Sequence, residues 1–271
     1  MRNRLLGAMF GAVGVLACSA LLLAQNAKQP AASSTDLTGL WATKQITAPD
    51  PNRVSATRGA GAEVSQHPDG YLPTNPPSET GMWEGPLPMQ PWAKSEFDYN
   101  RDPDGYPRNE MNPSYANCYP KGPTTAWGGG VWNFEIIQSP RRVFVLYEWG
   151  HQVRQIWTDG REHPKDWDAT WMGHSIGHWE GDTLVADTIG MKDKTWLDGA
   201  GHVHSDKMHL IERIRRVDPE TMSLQMTVDD PKAYTAPFNS KVQLYQLKPN
   251  WEIEESIICE DKLLGSPILL H

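Results

Sequence analysis

Residues 131–158, VWNFEIIQSPRRVFVLYEWGHQVRQIWT, read as three β-strands joined by two tight turns. Stretches 131–138, 142–149 and 152–158 are short and rich in Val, Ile, Phe, Tyr and Trp. Ser139-Pro140 and Gly150-His151 punctuate them, and Asp159-Gly160 ends the third. Strands of this length with two-residue turn signals between them mark an antiparallel meander. The pattern resumes after a connection at 163–171. Stretches 174–180 and 182–189 pair across Gly181, and 208–217, 222–229, 238–247 and 251–259 bring the total to at least nine strands. No strand–helix–strand alternation interrupts them. The expected fold class is all-β, an antiparallel up-and-down β-barrel over residues 131–262 with a tail at 263–271.

Upstream the chain changes character. Residues 28–130 read as a covering segment that opens on a polar linker, and from 48 to 123 it is dense in Pro and Gly (PDPN, NPPSETG, GPLPMQP, RDPDGYP). Proline lacks a ladder donor and fixes φ, so regular strands are disfavoured there, and one helix fits, at 92–98. Trp83, Trp92, Phe97, Tyr99, Tyr106, Tyr115 and Tyr119 point to an ordered wrap over one side of the barrel, since disordered segments are poor in aromatics. Ahead of it, Gly39-Leu40-Trp41 resembles the start of a lipocalin-type barrel, where the Trp plugs the closed end. The same residues also suit a strand-entry Gly beside a core Trp.

Residues 1–27 carry Arg2 and Arg4 before an apolar run, the layout of a secretory signal. Val15-Leu16-Ala17-Cys18 has the form of a lipobox, which would make Cys18 a lipid anchor. Cleavage at 24–27 and a retained membrane tether are the other options. All three export the chain to the periplasm or beyond. In an oxidising compartment Cys118 and Cys259 are then expected to pair, closing a loop of roughly 140 residues worth about 4–5 kcal/mol in the chain-entropy picture. Buried free thiols are the alternative. A net charge of −8 argues against nucleic acid as a partner. Twelve Trp suit a core, a ligand pocket or a sugar platform.

Strand parity shows which ionisable side chains share a face with apolar ones. Glu148 joins Phe144 and Leu146, Asp187 joins Val185 and Ile189, Glu212 joins Leu210 and Ile214, and Arg154 joins Ile156. On a buried face such groups must pair or shift their pKa values. On a solvent face they are ordinary.

Residues 173–188, GHSIGHWEGDTLVADT, resemble a motif of a widespread, mostly uncharacterised family of secreted bacterial proteins. Further matches are Glu135-Ile-Ile-Gln138, Tyr147-Glu148, Asp159-Gly-Arg-Glu-His-Pro164, His209-Leu-Ile-Glu-Arg213, Thr227-Val-Asp-Asp-Pro231 and Cys259-Glu260. The resemblance spans about residues 110–262 and implies a secreted β-rich domain without assigning catalytic residues. His178 stands where relatives carry Arg, and His202 lies outside the pattern.

Three chemistries fit these residues. In the first, the barrel holds a small apolar or aromatic molecule, with His174, Glu148, Glu212 and His204 as acid–base groups. Arg154, Trp171, Asp187, Arg213 and Trp179 would contact the ligand. Such a set serves a lyase, isomerase or hydratase without any cofactor. A non-catalytic binding barrel, or a carbohydrate platform of tryptophans, uses the same pocket. In the second, His174, His202 and His204 hold zinc or copper. The third is a serine nucleophile in Gly173-His-Ser175-Ile-Gly177, a G-x-S-x-G run. That motif needs a strand–turn–helix setting, and the residues that follow read as strand, so it is rejected.

Overall fold

The structure, a computed structural model, describes residues 35–44, 79–127 and 132–254. The expected signal segment with Cys18, the cysteine at 259 and the tail at 263–271 lie outside the described residues. Ten strands form one sheet: β1 (Gly39–Thr43), β2 (Phe134–Ser139), β3 (Arg142–Tyr147), β4 (Val153–Trp157), β5 (His174–Glu180), β6 (Thr183–Ile189), β7 (His209–Asp218), β8 (Thr221–Asp229), β9 (Phe238–Asn239) and β10 (Gln243–Leu247). Neighbours pair in chain order from β1 to β8. The ring closes because β10 pairs with β1 on one side and with β8 on the other, while β9 adds to the far half of the same β8 edge. The result is a closed nine-stranded β-barrel, and the all-β class holds.

Four features differ from the expected meander. The barrel takes its first strand from residues 39–43, inside the stretch read as cover. The run 238–247 is two strands rather than one, because residues 240–242 break the ladder. Residues 251–254 form no strand. Most consequential, β5 runs parallel to β4, so the barrel is mixed rather than purely antiparallel. The connection at 158–173 is long enough to travel back along the barrel before β5 begins, which a tight hairpin could not do. Only Ile156 and Trp157 pair with β5, through Ser175 and Ile176. Residues 153–155 of β4 therefore splay away from their neighbour.

Alternating burial along the strands defines the interior. Leu210, Glu212, Ile214 and Arg216 of β7 point in, as do Met222, Leu224, Met226 and Val228 of β8. One barrel end is stopped by Trp41. Its indole N–H donates to the Leu37 carbonyl at 2.9 Å, and the Arg216 guanidinium lies 5.4 Å from its ring while donating to the carbonyls of Asp36 and Pro219. The Gly-x-Trp reading thus has a structural counterpart in the plug.

The other end is covered by the proline-rich segment. Its helix α1 (Pro91–Tyr99) coincides with the single helix expected. Two one-turn helices follow, α2 (Pro113–Ala116) and α3 (Pro123–Ala126), each with Pro at its first turn, where a missing N–H costs nothing. Directly after α3, Trp127 is driven into the barrel, where it packs edge-on against Phe134 and Tyr147. Among the described residues no helix is long and apolar enough to cross a membrane.

Candidate functional site

Two polar clusters lie back to back across the barrel wall, and strand parity decides which residue joins which. Inside, the Arg154 guanidinium makes a bidentate ion pair with Glu212, with one bond at 2.8 Å, and both side chains are essentially inaccessible to solvent. Its remaining donors reach Ser175 Oγ at 3.1 Å and Thr188 Oγ1 at 2.9 Å. The Trp127 indole donates to Glu212 Oε1 at 2.6 Å. Burial alone would lower the Arg154 pKa, but Glu212 more than offsets it and holds the guanidinium charged. Planar bidentate geometry and extra donors are what make a buried ion pair tolerable.

Outside, on the opposite faces of β5, β6 and β7, stands a chain of imidazoles. Asp187 sits between Ile176 and Ile211 in the sheet, and His174 and His209 lie two residues along those strands on the same face. His209 Nε2 is 2.5 Å from Asp187 Oδ1 and His163 Nε2 is 3.2 Å from it; His163 Nδ1 is 2.8 Å from His174 Nδ1. The carboxylate fixes the tautomers in sequence. Asp187 can only accept, so His163 carries its proton on Nε2 and presents a bare Nδ1. When His163 is neutral, His174 donates from Nδ1 and its Nε2 carries the lone pair. Burial, then the nearby His163 and Arg161 charges, lowers the His174 pKa. His209 is raised, chiefly by its hydrogen bond to Asp187. Burial would raise Asp187, but the bonds from His209 and His163 outweigh it and hold the carboxyl below its usual range.

His174 lines a cleft of about 450 Å³ beside the short β4–β5 pairing. Trp157, Trp167, Trp171, Met172, Val153 and Pro120 give it apolar walls. Gln152, Gln155, Thr170, Arg154, Ser175 and His174 supply the polar groups. Backbone chemistry shapes it. Gly190, at φ 68°, leaves room for Trp167, whose ring would stand 2.6 Å from any Cβ there, and Trp167 meets the His174 ring edge at 4.8 Å between centroids. Gly173, at φ 66°, starts β5 so close to the Ile189 carbonyl that a Cβ would lie 2.5 Å from it.

The nine residues expected around the pocket do not form one site. Arg154 and Glu212 meet, but inside the barrel. Glu148 sits beyond the end of β3, where it accepts from the Asn133 backbone and side chain at 2.9 and 3.1 Å. His204 is buried and saturated, with Nδ1 donating to the Ser205 carbonyl and Nε2 accepting from Thr195 at 3.0 Å; burial lowers its pKa. Both are removed from the catalytic set because neither nitrogen of His204 is free and Glu148 serves the backbone. Trp171 lines the cleft as expected. Arg213 lies on the outer face, paired with Glu180 at 2.6 Å, and Trp179 packs on the hydrophobic core near the far end of β5. The metal set also comes apart. His202 is stacked on Phe97 at 4.3 Å and bonded to Asp198 at 2.8 Å, away from His174. Among the described residues no group of three or more His, Cys, Asp or Glu is arranged to hold a metal ion. Ser175 lies within a strand with Arg154 and Thr188 as partners, so the nucleophile-elbow setting is absent.

Three residues gain importance over their sequence reading. His163 and His209 entered the sequence reading only as members of the resembling runs 159–164 and 209–213. Both are in the imidazole chain. Lys121 is buried without a carboxylate partner among the described residues, its ammonium 4.2 Å from the Trp149 ring, and burial lowers its pKa to about 8. Set against protein-family models, curated proteins and solved structures, the chain matches none.

Proposed function

We propose that this chain is an exported barrel protein that holds a small apolar or aromatic molecule in the Trp157–Trp167–Trp171 cleft. It acts there as an acid–base enzyme of the lyase, isomerase or hydratase type. One observation carries the reading: His174 both lines the cleft and ends an imidazole–imidazole–carboxylate chain, an arrangement that suits a base at its second ring nitrogen when both imidazoles are neutral. In such a site His174 Nε2 removes a proton from the bound molecule. The positive charge that results is shared with His163, which lies against the Asp187 carboxylate. His174 is then the base, and His163 and Asp187 are positioning residues. General-base contributions of this kind amount to roughly 10²–10⁴ in rate.

Proton abstraction is testable before the natural substrate is known. Aryl ketones with acidic α-hydrogens are incubated with the protein in D₂O, and loss of the α-proton signal is followed by NMR. Wild-type protein is expected to catalyse exchange in at least one of them, and His174→Ala to reduce it at least about a hundredfold. Undiminished exchange in His174→Ala would remove this residue from the mechanism.

Export and the cross-link belong to the same proposal. A leader over residues 1–27, cleaved or lipid-anchored at Cys18, delivers the chain to the periplasm, and Cys118 pairs there with Cys259. The resemblance of residues 173–188 to secreted bacterial proteins supports this placement. Mass spectrometry of the non-reduced mature protein tests both points, through its N-terminal peptide and a linked Cys118–Cys259 peptide.

A further inference from the structure

Resting on the cleft as the ligand site, we infer that its ligand is a small aromatic anion, an aryl carboxylate or phenolate, and that Arg161 and Lys192 determine this specificity. The chain as a whole carries a formal charge of −8, yet no Asp or Glu lines the cleft. The crossover that forms one wall contains Asp159, Glu162, Asp166 and Asp168; the last three are exposed, and Asp159 is paired with Arg161.

Cations, in contrast, are laid against the aromatic walls. The Arg161 guanidinium stacks on Trp157 at 3.5 Å, with Arg142 4.6 Å from the same ring. The Lys192 ammonium lies 4.9 Å from the Trp171 ring. Arg161 bonds to Asp159 through Nε and one terminal nitrogen, at 2.9 and 2.7 Å, which leaves its other terminal nitrogen without a partner among the described residues. Lys192 has no ion-pair partner among them. Arg154, at the floor, spends all three of its nitrogens on Glu212, Ser175 and Thr188, whereas Arg161 keeps one terminal nitrogen beside its exposed pairing with Asp159.

These pieces specify an orientation. A planar ring fits between the tryptophan walls, where stacking is insensitive to substituents. Its anionic group extends to the rim, where Arg161 offers planar donors and Lys192 a point charge. The opposite edge of the ring faces His174. Partly exposed cations of this kind discriminate charge more than they add raw affinity.

Benzoate and its neutral isostere benzamide provide the test, by titration calorimetry on the full-length protein at low ionic strength, with the His174 ring signals followed by NMR to locate the site. Benzoate is expected to bind about tenfold more tightly than benzamide, and the preference should shrink in 0.5 M salt. Arg161→Gln and Lys192→Gln should each cost benzoate about fivefold and leave benzamide unchanged. Equal affinity for the two probes, or variants that weaken both alike, would overturn the anion assignment while leaving the cleft as a ligand site. If neither probe binds, or binding leaves the His174 signals unmoved, the assignment and the site fall together.

Discussion

The interior Arg154–Glu212 cluster and the outer His174–His163–Asp187–His209 chain are built on the same strands, one residue out of phase. Ser175 and Thr188 face in; His174 and Asp187 face out. Inside, the groups are sealed, and each charge is consumed by a fixed partner. Outside, exposure rises along the chain, from buried His174 through His163 to partly exposed Asp187 and His209, and His174 also lines the cleft. Ionisable residues in a barrel wall are thus no guide to chemistry until their accessibility is known. A saturated set holds the barrel together, and an unsaturated one can exchange a proton.

The largest effect that would break this contrast is expected from Glu212→Ala. It strands the Arg154 guanidinium and the Trp127 indole in the barrel interior, so a loss of about 3–5 kcal/mol in urea unfolding is expected. A loss below about 1 kcal/mol would mean that the interior admits water and is not sealed.

Lys121 defines a third condition, a buried cation with aromatic faces but no anion. Its pKa is lowered from 10.5 in the unfolded chain to about 8 in the fold. The fold thus prefers the neutral amine, and the wild type pays to bury the charged form at neutral pH. That cost is constant below about pH 8 and disappears as pH rises towards 10.5. Lys121→Met should therefore stabilise at pH 7 by an amount on the order of 2 kcal/mol, with the gain fading across that window. Thermal unfolding as a function of pH measures it. A gain that persists at pH 10.5 would trace it to packing and not to charge.

Asp187→Asn sharpens the outer half of the comparison. His209 is raised mainly by its bond to Asp187, so its stabilising contribution is present below its unfolded pKa and fades as pH rises through the folded one. His174 is lowered mainly by burial, so it has the opposite sign and costs stability as pH falls below the ordinary histidine range. In Asp187→Asn the His209 titration, read by NMR, should fall back towards the ordinary value while His174 stays depressed. Because these groups are half exposed, stability should change by less than about 1 kcal/mol. A parallel fall in both histidines would mean that Asp187 controls His174 directly and the relay through His163 is not intact.

The barrel itself was legible because turn dipeptides and period-two alternation are local signals. They placed eight stretches on or beside observed strands and put Glu212 and Arg154 on apolar faces correctly. Parity cannot say which face of a barrel is inside, however, and so Asp187 looked equivalent to Glu212. His163 was invisible for a different reason. It lies in a crossover with no periodicity, and only the parallel pairing of β4 with β5, a long-range event, brings it over Asp187. The run Asp159-Gly-Arg-Glu-His-Pro164 was the available hint, since it carries both Arg161 and His163. For His204 and Glu148 the sequence could not show that their polar atoms are bonded to Thr195 and Ser205 and to Asn133, because such residues have the same sequence signature as catalytic ones.

The smallest expected effect tests the seal most finely. Tyr147 is fully buried beside Arg154 and Glu212, its pKa raised chiefly by burial; its hydroxyl is near enough to the Arg154 guanidinium to feel it but makes no hydrogen bond of good geometry among the described residues. Removing an unsatisfied buried hydroxyl forfeits no bond and relieves the cost of its desolvation. Tyr147→Phe should therefore be neutral or stabilising by up to about 1 kcal/mol, measured by urea unfolding at pH 7. Destabilisation by a comparable amount would show that the hydroxyl is bonded in solution, by a water lodged against the ion pair. The interior would then resemble the outer chain more closely than the sealed description allows, and its polar groups would join the cleft as part of one hydrated site reaching from His174 through Ser175 to Glu212.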